Sequence, residues 1–112
     1  SNEVKMKLLG VRSETIEQYT EVSKQTAAEM ADGVRRVSGA DIGISVTGIS
    51  GPGGGTEDKP VGLAYIGFSC SDSTYVREVR TGRSFDSREY NRYVTASNAL
   101  HMVIQHFQER DE

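Results

Sequence analysis

Apolar residues follow helical spacing towards both ends of this chain and strand spacing in its middle. Ala27, Met30, Ala31, Val34 and Val37 recur at i, i+3, i+4, i+7 and i+10, which is one helical face. Ser23 stands where an N-cap belongs, Val22 and Ala27 fit a hydrophobic staple, and Ser38-Gly39 closes the run. Upstream, Asn2 to Leu9 predicts a short helix capped by Asn2 and stopped by Gly10, with Val4, Leu8 and Leu9 on its apolar side. Ser13 is expected to cap a second turn, Glu14 to Tyr19, with Ile16 inward. Asp41 to Thr47 alternates Ile42, Ile44 and Val46 with Gly43 and Ser45, a strand whose small residues let another element come close. Val61 to Cys70 is apolar enough for a central strand, and Thr74 to Arg80 reads as an edge. Strands adjacent in sequence pair as a meander. Asp86, with Glu89 three residues on, opens a last helix running to about Gln108. Its inner face is expected at Tyr93, Ala96, Leu100, Val103, Ile104 and Phe107. The expected fold class is α/β: a central β-sheet of three strands flanked by helices, in one domain over residues 1–112.

Between the first two strands lies a long loop, Val46-Thr47-Gly48-Ile49-Ser50-Gly51-Pro52-Gly53-Gly54-Gly55-Thr56, closed by Lys59-Pro60-Val61-Gly62. Glycines tolerate positive φ and let backbone N–H groups converge on one point, where they make an anion-binding nest. Structureless loops this long inside a compact domain are usually functional. The loop is either a cradle for phosphate or carboxylate, or a flexible connection. Three familiar motifs are excluded. A phosphate-binding Walker loop needs Lys-Ser/Thr after its last glycine, but Thr56-Glu57-Asp58 follows Gly55. A dinucleotide fingerprint fails at Thr56 and would have to open a helix. Gly48-Ile49-Ser50-Gly51-Pro52 breaks the G-x-S-x-G elbow, so Ser50 is a poor nucleophile.

Composition narrows the partners. A chain of 112 residues with 26% charged and 36% hydrophobic residues is a globular domain with a modest core. Net charge is −3, so no basic face calls for nucleic acid or an anionic membrane. One cysteine, Cys70, excludes a disulfide framework and suits a cytoplasmic location; it reads as a buried thiol. No apolar run nears the length of a membrane span. His101 and His106 lack partners at metal spacing, so neither a metal nor a cofactor is expected. Arg35 and Arg36 read as solvated charges at a helix end. Arg88 and Arg92 are i, i+4 near the start of the last helix, where like charges and the helix dipole cost a few tenths of a kcal/mol (roughly 0.2–0.5 for the pair). A bound anion would remove both costs, and guanidinium forks match phosphate oxygens. A solvated face neutralised by Asp86 and Glu89 is the alternative.

Four stretches together resemble the CinA C-terminal domain family, the nicotinamide-nucleotide amidases. They are Thr47 to Gly55 with Lys59-Pro60-Val61-Gly62; Ser1-Asn2-Glu3-Val4-Lys5 with Leu8-Leu9-Gly10-Val11; Tyr19 to Ser23; and Arg88 with Arg92. The resemblance covers nearly the whole chain in order. It implies hydrolysis of the carboxamide of nicotinamide mononucleotide to nicotinate mononucleotide and ammonia. It also implies a serine nucleophile working with a lysine, here Lys5, whose pKa must be lowered for it to act as base. Thr47, Gly48, Gly51, Gly53, Gly54, Gly55, Arg88 and Arg92 are then the substrate-binding residues, and backbone N–H groups supply the oxyanion hole.

This sequence departs from the family at Thr20, Ser50 and Asp86-Ser87, which stand for a glycine, an alanine and a Gly-Asp pair. The family's Ser-x-Thr-Gly-Gly segment, with the nucleophile, is not among these residues, so the chain is expected to be part of a longer domain and inactive alone. Three readings remain: an amidase domain seen without its nucleophile, a phosphate-binding module without chemistry, and an assembly fragment that pairs with a partner or another copy. A small-molecule mononucleotide is the expected partner, and a homo-oligomer is compatible with the incomplete sheet.

Overall fold

The computed structural model describes residues 2–49, 54–81 and 88–111. Three helices, three strands and a long helix follow in order: α1 Asn2–Leu9, α2 Ser13–Tyr19, α3 Lys24–Ser38, β1 Gly43–Gly48, β2 Leu63–Ser69, β3 Thr74–Arg80 and α4 Arg88–Asp111. The sheet order is β1-β2-β3, antiparallel throughout, with Ser45 opposite Gly67 and Ile66 opposite Arg77. The α/β class and the meander agree with the sequence reading, as do the ends of α1, α3 and β3. The layers are α1–α3 on one face, the sheet, and α4 on the other.

Strand alternation sorts the residues between the faces. Gly43, Ser45 and Thr47 are buried beneath α3, and the Ser45 hydroxyl donates to the Ala27 carbonyl at 2.6 Å. The inward side of β1 is therefore its small, polar side, and Val46 is exposed on the other. The small residues do admit a helix: Ala27 and Ala31 of α3 are fully buried, and Ala27 packs with Leu63 and Tyr65. The opposite face carries Ile66, Phe68 and Val79, packed against Met102 of α4. All of β2 is buried, as a central strand should be.

Ser23 caps α3 by accepting from the Thr26 N–H at 3.1 Å, and Gly39 ends it at φ 72°. Gly33 sits against α1 so closely that a Cβ there would overlap the Leu9 carbonyl oxygen. Glu29 joins the helices: it accepts from the Arg12 backbone N–H at 2.8 Å, the Thr15 hydroxyl at 2.6 Å and the Arg12 guanidinium at 3.3 Å. Burial pushes the Glu29 carboxyl up, but these hydrogen bonds outweigh it and hold the carboxyl below its ordinary range.

Several sequence expectations are corrected. The N-cap of α2 is Arg12, with no side-chain cap bond, and Thr15 rather than Ile16 is its buried residue. Leu8 and Val37 are exposed. Arg35 and Arg36 are not simply solvated: Arg35 donates to Ser69 at 3.1 Å, and Arg36 donates to the Leu9 carbonyl at 3.3 Å, satisfying the end of α1. The largest correction concerns α4. Tyr93, Leu100, Ile104 and Phe107 face outward, while Asn91, Thr95 and Met102 are buried. The helix is turned because β2 and β3 offer specific partners: the His106 ring packs tilted against Phe68, with centroids 5.1 Å apart, and Arg77 donates to Gln105 at 2.9 Å. The cap expected at Asp86 lies outside the described residues.

Candidate functional site

β1 ends where the glycine-rich loop begins, and the start of α4 faces that end. Between them is a cavity of about 330 Å³ lined by Val46, Gly48, Ile49, Gly62, Leu63 and Ala64 from the sheet side and by Asn91, Arg92, Thr95 and Ala96 from α4. Helical spacing explains the second set, since 91, 92, 95 and 96 lie together over one turn. The lining combines apolar walls with a buried asparagine and a guanidinium, the mixture common in small-ligand sites. The loop mouth is held open by backbone: Ile49 N–H donates to Leu63 O at 2.9 Å, and Gly62 N–H donates to Ile49 O at 2.7 Å. Gly48 has no room for a side chain, because a Cβ would lie 2.7 Å from the Leu63 oxygen.

Arg88 and Arg92 share an open depression with Glu89, Tyr93 and Ala96. Both are exposed, and among the described residues neither forms an ion pair. Of the loop residues expected to bind substrate, Gly48 reaches the cavity with Arg92. Gly54 and Gly55 are exposed and do not line it. Gly51 and Gly53 lie outside the described residues. Among the described residues no three metal-ligating side chains come together.

Thr47 points the other way, into the α3 face, where its hydroxyl donates to the Glu21 carbonyl at 2.6 Å. Lys5 lies on that side too. Its Nζ is 4.0 Å from the Glu21 carboxylate, and its side chain is 19% exposed. Lys5 does not line the cavity. The turn between α2 and α3 links the two sides. Lys59, near the end of the loop, donates to the Tyr19 carbonyl at 3.0 Å, the Thr20 hydroxyl at 2.6 Å and the Val22 carbonyl at 2.5 Å. Thr20 holds φ 72° there, a conformation that L-residues seldom adopt. That is the position where the family pattern has a glycine, and Lys59 supplies compensating bonds.

The sequence reading missed Asn91, Thr95, Glu21 and Lys59. Asn91 and Thr95 carried a readable signal, being polar at i and i+4 on one face of the helix beside Arg92. Glu21 and Lys59 fall within stretches that carry the family resemblance, but only the fold shows what each touches.

The CinA C-terminal domain model matches residues 1–107. The chain belongs to the CinA C-terminal domain family. It is 47% identical over 106 residues to a CinA-like protein of Desulfovibrio desulfuricans, covering 95% of this chain and 25% of that protein. The chain thus spans about a quarter of the length of that relative. Among solved structures it resembles the competence/damage inducible protein CihA of Agrobacterium tumefaciens, with a TM-score of 0.88 and 39% identity over 94% of this chain and 63% of that one. A CinA superfamily protein of Escherichia coli superposes with a TM-score of 0.85 and 30% identity, over 94% of this chain and 59% of that one.

Proposed function

We propose that these residues form the phosphate-holding and lysine-bearing part of a nicotinamide-nucleotide amidase. The single observation that carries this reading is the cavity in which Gly48 and Ile49 of the loop meet Arg92 of α4. The guanidinium supplies the charge for a phosphate, while Asn91 and Thr95 add polar groups beneath it. In the reaction, a serine oxygen contributed from beyond these residues attacks the carboxamide carbon. The C–N bond breaks and ammonia leaves; water then releases the acid. Lys5 is the base in this reading, and the burial of most of its side chain is what supports that role.

The test is a titration of the chain with nicotinamide mononucleotide and, in parallel, with its riboside, which lacks the phosphate. The mononucleotide is expected to bind at least tenfold more tightly, and Arg92→Ala to erase the difference. Equal binding of the two would defeat the phosphate site. A chain that includes the family's serine segment is expected to release ammonia, and Lys5→Ala to abolish that release.

One observation favours a second reading, binding without chemistry. Among the described residues, the side chains lining the cavity include no Ser, Cys, His, Lys, Asp or Glu. Mononucleotide binding with no ammonia release from the serine-containing chain would select it.

A further inference from the structure

We infer that Lys59 is a positioning residue of this site: its ammonium ties the exit of the glycine-rich loop to the turn that faces Lys5. An ammonium has three hydrogens to donate. Those of Lys59 go to the Tyr19 carbonyl at 3.0 Å, the Thr20 hydroxyl at 2.6 Å and the Val22 carbonyl at 2.5 Å, all on the turn between α2 and α3. Among the described residues Lys59 forms no ion pair, so its charge serves this one turn. Its main chain is fixed as well. The Lys59 N–H donates to the Thr56 hydroxyl at 3.1 Å, and its carbonyl accepts from the Thr56 N–H at 2.9 Å.

The turn needs such support. Thr20 stands at φ 72° and ψ 175°, a region that residues with a Cβ scarcely populate. A backbone outlier persists only where its surroundings over-determine it, and such outliers gather at functional sites. Here every carbonyl of residues 19–22 accepts a side-chain hydrogen bond: Tyr19 and Val22 from Lys59, Thr20 from the Ser23 and Thr26 hydroxyls, and Glu21 from the Thr47 hydroxyl at 2.6 Å. Thr47 leads into the loop and Lys59 lies at its exit. One turn therefore holds both ends of the loop, and it carries the Glu21 carboxylate 4.0 Å from Lys5 Nζ. Lys59 itself does not line the cavity with Gly48 and Arg92, so it acts through the turn. Its consequence for turnover rests on the amidase reading: it fixes the Lys5 side of the site relative to the phosphate side. The three acceptors meet at a single nitrogen, whereas a guanidinium spreads its donors over a planar fork, so arginine is a poor substitute.

Two measurements test this. In the 112-residue chain, Lys59→Ala leaves a gap of the size of propylammonium. Hydrogen exchange is expected to quicken together in residues 19–23 and 54–60 of that variant, and to slow again with propylammonium but not with the neutral isostere propanol. In a chain that includes the serine segment, Lys59→Ala and Lys59→Arg are expected to lower kcat about tenfold or more with KM within about threefold, whereas Arg92→Ala raises KM. Propylammonium should restore kcat to Lys59→Ala. Unchanged exchange in residues 19–23, equal recovery with propanol, full turnover in Lys59→Arg, or a loss confined to KM would each overturn the inference. Absence of ammonia release from the unsubstituted serine-containing chain defeats the amidase reading instead, and the exchange measurement then decides the tether alone.

Discussion

Gly33→Ala sets two physical effects against each other at one atom. Gly33 lies in the interior of α3, where replacing glycine by alanine ordinarily gains about 1 kcal/mol in helix propensity. Against that, the new methyl would overlap the Leu9 carbonyl oxygen and lie 2.6 Å from the Leu9 carbonyl carbon and 2.8 Å from its Cα. These are backbone atoms, so no rotamer change relieves the contact. Overpacking of this kind costs about 1–3 kcal/mol. If α1 stays in place the clash matches or exceeds the gain, for a net loss of up to about 2 kcal/mol.

The structure also shows how the loss is relieved. α1 is eight residues long and packs chiefly on α3, so it can move away as a unit. Its end would then lose the Arg36 bond to the Leu9 carbonyl. The strand core, built on Ile66, Phe68 and Met102, does not depend on it. Hydrogen exchange read by mass spectrometry, alongside urea unfolding, is the assay. Protection is expected to fall in α1 and around Val11, with β2 unchanged, and the urea midpoint should drop. Greater stability with α1 protection intact would refute the close-packing argument and leave propensity as the governing effect.

Three further outcomes follow from specific bonds. Glu29 titrates below its ordinary value of 4.5 in the folded chain, so its contribution is fully present above pH 4.5 and is lost as pH falls through its lower folded value. Urea titrations across that acid range should show this loss, and Glu29→Gln should flatten it. Lys59→Met removes three donors from the turn around Thr20 and leaves its left-handed backbone unsupported. Proteolysis within residues 54–60 should speed up several-fold, with a smaller change in overall stability. Ser23→Ala removes the cap of α3, costing about 1 kcal/mol in the urea midpoint analysis.

Local chemistry made much of this fold legible. A serine cap, a closing Gly39 and an apolar seven-residue strand each announce themselves within a few residues. The orientation of α4 was not legible, because periodicity defines a face but not what that face touches. The inner face holds Asn91, Thr95 and His106, residues that rank as polar in any sequence reading. Phe68 offers a ring to His106, and Asn91 and Thr95 line the cavity beside Arg92. Likewise, alternation in β1 was visible, but its inward side follows from hydroxyl bonds to the carbonyls of Ala27 and Glu21. In the site, Arg92 and Gly48 stand about forty residues apart, and only the family resemblance paired them in advance. The bonds of Lys59 to the α2–α3 turn depend on tertiary structure alone.

The position of Lys5 constrains the chemistry more tightly than the cavity does. Consecutive residues of a strand point to opposite faces, so Thr47 turns towards Glu21 and the Lys5 side while Gly48 borders the cavity beside Arg92. In the proposed amidase, a substrate engaging both would cross the end of β1, with its phosphate on the α4 side and its reacting group on the α1 side. A side chain at residue 48 would stand in that path, and the nearby Leu63 oxygen already forbids one. In that reading, a strand that ends on glycine would let one ligand reach both faces. The Lys59 bonds hold the turn whose Glu21 carboxylate lies 4.0 Å from the Lys5 ammonium, so they tie the loop to the Lys5 side of the sheet.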